Sequence, residues 1–156
     1  MFKLVRPVGA ILLVGVTAFL VAADPPKEDA AKKDLESIQG TWKIVMLEAD
    51  GEQAPAEIVA TVKLVFKDDK LTFTPGEPGF TNYTYKLDPT AKPATFDFEH
   101  TEGAFKGKVW KGIYAVDGDT LTTCDNGPDP DKARPTAFEA KRGSGYILIT
   151  FQRAKP

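Results

Sequence analysis

His100 is the single histidine of the chain and Cys124 the single cysteine. Every nucleophilic scheme of the Ser-His-Asp or Cys-His kind must therefore run through His100. It stands between Glu99 and Thr101 at the end of an apolar run, where a solvated loop histidine is expected. Ser144 lies in Gly143-Ser144-Gly145, which lacks the Gly-x-Ser-x-Gly spacing of a strained nucleophile turn. The two glycines fit a turn into a final strand instead. Cys124 has Thr123 and Asp125 as neighbours and no adjacent cation to stabilise a thiolate, so it reads as a small core residue.

Metal chemistry finds little support. One histidine and one cysteine are too few soft ligands for tetrahedral zinc. Asp125, Asp129 and Asp131 gather in one proline-rich loop, and carboxylates of that kind suit a hard cation. The loop lacks the spacing and terminal glutamate of a calcium-binding helix–loop–helix. Asp97 and Glu99 fall on the wet side of their run, where they stay ordinary acids. Arg134 precedes Pro135, which fixes the backbone, so it could pair with a carboxylate or a ligand anion, and structural pairing is the expectation. The expectation is a chain with no cofactor, no metal and no catalytic residue.

The elements that must position these residues begin after a leader. Lys3 and Arg6 precede Val8 to Ala22, a run of about 15 uncharged residues, where a membrane span needs about 20. Val21-Ala22-Ala23 ends the run in small residues, as at the cleavage site of a secretory signal. The expected organisation is a signal peptide over 1–23, a flexible spacer over 24–34 rich in Pro, Ala and charge, and a domain over 35–156. The destination is periplasmic or extracellular, with no membrane span once the signal is removed.

A mature chain of roughly 133 residues fits one domain. With one cysteine it has no internal disulfide, even in an oxidising compartment. The net charge is −2 and becomes about −4 when Lys3 and Arg6 leave, with both signs interspersed. That surface carries no electrostatic footprint for nucleic acid. A monomer is expected.

From Gly40 onward, short runs rich in β-branched and aromatic residues recur at about the 8–12-residue spacing of all-β folds. Strands are expected at 41–49, 61–67, 70–75, 80–87, 94–99, 108–116, 119–124 and 145–153, after a short helix near 33–39. Tight links such as Asp117-Gly118 signal hairpins, and sequential hairpins close into an eight-stranded antiparallel up-and-down barrel more readily than into a sandwich. Two long connections, 50–60 and 125–144, are placed over one barrel mouth.

Alternation assigns the inward face to Trp42, Ile44 and Met46; Val62, Leu64 and Phe66; Leu71 and Phe73; Tyr83, Tyr85 and Leu87; Phe96 and Phe98; Trp110, Tyr114 and Val116; and Ile147, Ile149 and Phe151. An interior of this size is either filled by side chains or holds one small ligand. Phe73, Tyr83, Tyr85, Phe96, Phe98 and Tyr114 are the candidate lining residues.

A short helix leading into Gly40-Thr41-Trp42 resembles the opening of the lipocalins, in which a basic side chain from the last strand covers that tryptophan. Arg153 stands where such a side chain is required, and a cation over an indole face is worth roughly 0.5–2 kcal/mol. Over about 35–153 the chain also resembles an uncharacterised, exported lipocalin-like domain family found mainly in planctomycete bacteria. The pieces that carry this stand in order as Ile38-Gln39-Gly40-Thr41-Trp42, Tyr85-Lys86-Leu87-Asp88-Pro89-Thr90, Lys106-Gly107-Lys108, Gly112-Ile113-Tyr114, Asp117-Gly118-Asp119-Thr120-Leu121, Cys124, Arg134-Pro135-Thr136-Ala137-Phe138 and Gly143-Ser144-Gly145. The stretch Asn126 to Lys132 departs from that pattern in length and charge. The resemblance implies a lipocalin-like barrel and export, and assigns no activity to any residue. The expected role is therefore binding: an unknown small apolar molecule inside, or an envelope macromolecule outside a filled barrel.

Overall fold

The computed structural model describes residues 27–74, 82–127 and 129–155. The signal expected over 1–23 and the turn at Pro75–Gly79 lie outside them.

The chain runs α1 (Lys27–Ile38), β1 (Gly40–Ala49), β2 (Glu52–Gln53), α2 (Ala56–Val59), β3 (Lys63–Lys67), β4 (Lys70–Thr74), β5 (Asn82–Asp88), β6 (Thr95–His100), β7 (Val109–Asp117), β8 (Thr120–Asp125) and β9 (Ile147–Arg153). Apart from the short β2, each strand pairs antiparallel with the next. β9 returns to β1 through Trp42 opposite Arg153 to Ala49 opposite Ile147, which closes an eight-stranded up-and-down barrel. The inward side chains of all eight strands form one buried cluster around Trp42, Leu64, Phe66, Leu71, Phe96, Leu121 and Phe151.

Four local features depart from the alternation pattern. α1 begins at Lys27, so most of the residues expected as spacer are helical. Its apolar face is brief: Ile38 is buried and Leu35 packs against the core, while Ala, Lys and Glu upstream favour a helix by propensity. In β1 the register shifts between Ile44, opposite Phe151, and Met46, opposite Thr150. The extra residue, Val45, is left exposed, and Leu47 rather than Met46 then packs against the core, as a β-bulge dictates.

The segment 50–60 is not an open loop. Asp50 and Gly51 both take positive φ, and Ala49 pairs with Glu52 across them, the geometry of a two-residue hairpin. α2 then buries Val59 in the core. At the β7–β8 turn, Asp117 pairs with Thr120, so the central residues are Gly118 and Asp119, one position later than expected.

The long connection 126–146 lies along the outer wall. Ile113, Cys124, Pro135 and Ala140 are buried together with it, and the Cys124 thiol donates to the Glu139 carbonyl at 3.6 Å. It reaches the β1–β2 hairpin, where Gly51 N–H donates to the Ala140 carbonyl and Gly143 N–H to the Asp50 carboxylate. It thus flanks the mouth rather than covering it.

Candidate functional site: the barrel mouth

Strand direction gives the barrel two ends. The starts of β1, β4, β6 and β8 and the ends of β3, β5, β7 and β9 surround the end that α1 covers. The opposite ends surround the mouth.

At the covered end Trp42 is fully buried, and its indole N–H donates to the Ile38 carbonyl at 2.8 Å. Arg153 lies 4.2 Å above the ring and donates to the carbonyls of Ser37 at 2.6 Å and Gln39 at 2.8 Å. The last residues of α1 are thereby tied to the last strand. Gln39 accepts from Asp68 N–H, donates to the Asp68 carbonyl and meets the Tyr85 hydroxyl, which itself donates to the Asp68 carbonyl. The Tyr114 hydroxyl donates to Asp34 of α1 at 2.6 Å.

Above this floor the barrel is filled by rings. Phe66 meets Tyr85 edge-on at 5.2 Å, Tyr85 meets Phe98 at 6.4 Å, and Phe96 stacks on Phe98 at 4.1 Å. Phe96 can lie there because Gly112 faces it: a Cβ on that glycine would sit 2.2 Å from the ring. Of the candidate lining residues, Tyr85, Phe96, Phe98 and Tyr114 therefore belong to the packed interior. Tyr83 and Phe73 lie nearer the mouth, in an edge contact at 5.5 Å.

The mouth layer is built by Tyr83, His100, Trp110 and Asp125. Tyr83 is directly opposite His100 and Phe98 opposite Trp110. The His100 ring is 4.5 Å from Tyr83, 4.2 Å from Trp110 and 5.6 Å from Phe105. Tyr83 and Trp110 are 5.7 Å apart. His100 is 1% exposed, which corrects the expected solvated loop histidine. β6 continues one residue further than its pattern indicated, so His100 takes the inward parity of Phe96 and Phe98. Burial pulls its pKa down and favours the neutral ring.

Asp125 ends β8 on the inward parity of Leu121 and Thr123, opposite Gly112 and Ile147. It is 7% exposed, and its carboxylate accepts one hydrogen bond, from Gly127 N–H at 2.8 Å. Burial, partly offset by that bond, pushes its pKa up to about 6. Its charge is felt across the barrel at Tyr83, whose hydroxyl is pushed up to about 12, mainly by burial and then by Asp125 and Glu102. The Trp110 indole N–H is buried and has no hydrogen-bond acceptor among the described residues.

The other candidates are structural. Arg134 donates to Asp97 and to the carbonyls of Phe96 and Gly112, pinning the long connection to the wall. Burial pushes the Cys124 thiol up to about 11. Asp125 turns inward, Asp129 accepts from Asp131 N–H, and both of the latter face outward, so the three carboxylates do not converge. No group of three or more His, Cys, Asp and Glu side chains suited to a metal occurs among the described residues. No helix among them is long and apolar enough to cross a membrane. Depressions on the outside run along β4–β6 and between α1 and β5.

Sequence reasoning placed Tyr83 and Trp110 inward and missed His100 and Asp125, which sit one residue beyond the expected strand ends. The period-two parity, extended by that residue, would have found both.

No curated protein and no solved structure matches the chain. The lipocalin-like domain family matches residues 38–141, from the last residue of α1 into the long connection. That span holds the floor tryptophan and the whole mouth layer, and with the closed eight-stranded barrel it settles the kinship: the chain belongs to the lipocalin-like domain family.

Proposed function

We propose that this is an exported, non-catalytic binding protein whose barrel mouth holds one small, largely apolar molecule. The observation that carries the reading is the Trp110 indole N–H, a buried donor without an acceptor among the described residues, set in a layer of aromatic rings. A buried donor left unmatched costs on the order of 1–3 kcal/mol. A ligand with one acceptor oxygen would recover that energy, while its apolar body would cover Tyr83 and Phe73. The packed rings below confine it to a shallow position. Lys3, Arg6 and the uncharged run Val8 to Ala22 support export.

Mass spectrometry under non-denaturing conditions, on protein purified from its native envelope, tests this reading. The expected result is a chain starting near Asp24 that carries one small molecule, which is lost in Trp110→Ala. A bare chain that also takes up no neutral aromatic alcohol would contradict it.

The filled lower barrel and the exposed Val45, Ile58 and Phe138 favour a second reading, an envelope interaction module with no internal ligand. In that case cross-linking through Ile58 captures a macromolecular partner while the mouth stays empty.

A further inference from the structure

The mouth places a carboxylate where no cation of the described residues forms an ion pair with it. Asp125 has the inward parity of β8, opposite Gly112 and Ile147, and none of the ion pairs among the described residues includes it. The cations nearest in sequence are committed elsewhere. Lys111 is exposed on the outer face, Arg134 is bound to Asp97 and two carbonyls, and Lys132 lies over the Tyr146 ring. One hydrogen bond from Gly127 N–H serves one oxygen of the carboxylate. On its mouth side, Trp110 is its diagonal neighbour, two residues before its partner Gly112, a separation of roughly 7–8 Å that an aromatic side chain spans.

A buried charge is retained cheaply only when something pairs with it. A cation supplied by a ligand does this, and electron-rich rings add to its binding. We propose that the molecule held at the mouth carries an ammonium group that pairs with the Asp125 carboxylate, with Tyr83 and Trp110 forming the aromatic part of its surroundings. The ligand class is thus an aryl- or alkyl-amine of modest size, oriented with its charge toward β8. This rests on the mouth being the binding end, as proposed above, and specifies what binds there.

Three probes of similar shape separate the possibilities: 2-phenylethylammonium, neutral 2-phenylethanol and anionic 3-phenylpropanoate, each titrated calorimetrically into the full mature chain at neutral pH. The ammonium is expected to bind at least about tenfold more tightly than the alcohol, as a charge-assisted contact would give, and the carboxylate not to bind. Asp125→Asn keeps an oxygen to accept Gly127 N–H and removes the charge. It is expected to bring the ratio of ammonium to alcohol affinity close to one. Equal binding of ammonium and alcohol, or a preference that survives Asp125→Asn, would overturn the ammonium assignment and leave the mouth as the binding end. Binding of none of the three would overturn both. The wild-type comparison decides the matter even if the variant fails to fold.

Discussion

The two ends of this barrel treat buried polar groups in opposite ways. At the covered end the Trp42 N–H, the Arg153 guanidinium, the Gln39 amide and the hydroxyls of Tyr85 and Tyr114 all have named partners. At the mouth, among the described residues, Trp110 N–H has no acceptor and Asp125 has one hydrogen bond and no ion pair. Satisfied networks specify one arrangement of a core, whereas unmatched groups only subtract from stability. The covered end holds the fold, and on the proposed reading the mouth keeps a donor and a charge for a ligand.

The contrast breaks most severely if the rings between the ends are removed. Phe96→Ala or Phe98→Ala should cost about 3–5 kcal/mol in urea unfolding, the range for emptying a packed aromatic site; a near-neutral result would mean an internal cavity already exists there. Arg153→Met should cost about 2–3 kcal/mol, since the carbonyls of Ser37 and Gln39 lose charged donors and Trp42 loses its cation. The exposed Asp119 partner contributes little to that figure.

Asp125 sharpens the comparison through the sign of its effect. Its folded pKa, about 6, lies above the ordinary 3.8. The native protein therefore keeps a proton between these values that the unfolded chain has lost. Stability from this group is present below about pH 4, declines as pH rises toward 6 and stays low above it. Asp125→Asn should raise stability at pH 7.5 by about 3 kcal/mol, at roughly 1.4 kcal/mol per pKa unit, and flatten that part of the profile. A loss of stability would mean the charge is matched after all. The smallest effect is expected for Trp110→Phe, within about 1 kcal/mol of wild type because no hydrogen bond is lost, whereas Trp42→Phe strands the Ile38 carbonyl and costs more.

Much of the barrel was legible because period-two alternation and short turns act locally: each of the eight barrel strands begins and ends within two residues of its expected bounds. What escaped depended on single residues. Asp50-Gly51 is the same dipeptide as Asp117-Gly118, yet it forms the hairpin centre only at the first position, since β7 runs on through Asp117. Val45 bulges because β9 offers it no opposite residue. α1 hides its length because, of its described side chains, Leu35 and Ile38 alone join the core cluster, the Asp34–Tyr114 bond being invisible from sequence. The mouth was half legible for a related reason: Tyr83 and Trp110 look like core, while His100 and Asp125 look like loop until their strands are extended by one residue.

The two tryptophans provide a reporter at each end. In a proton–nitrogen correlation spectrum of the mature chain titrated with 2-phenylethanol, the Trp110 indole cross-peak should move as its N–H gains the hydroxyl oxygen as acceptor. The Trp42 cross-peak, bound to the Ile38 carbonyl beneath Arg153, should stay in place. Movement of the Trp42 signal alone, or of neither, would contradict the assignment of the mouth as the binding end.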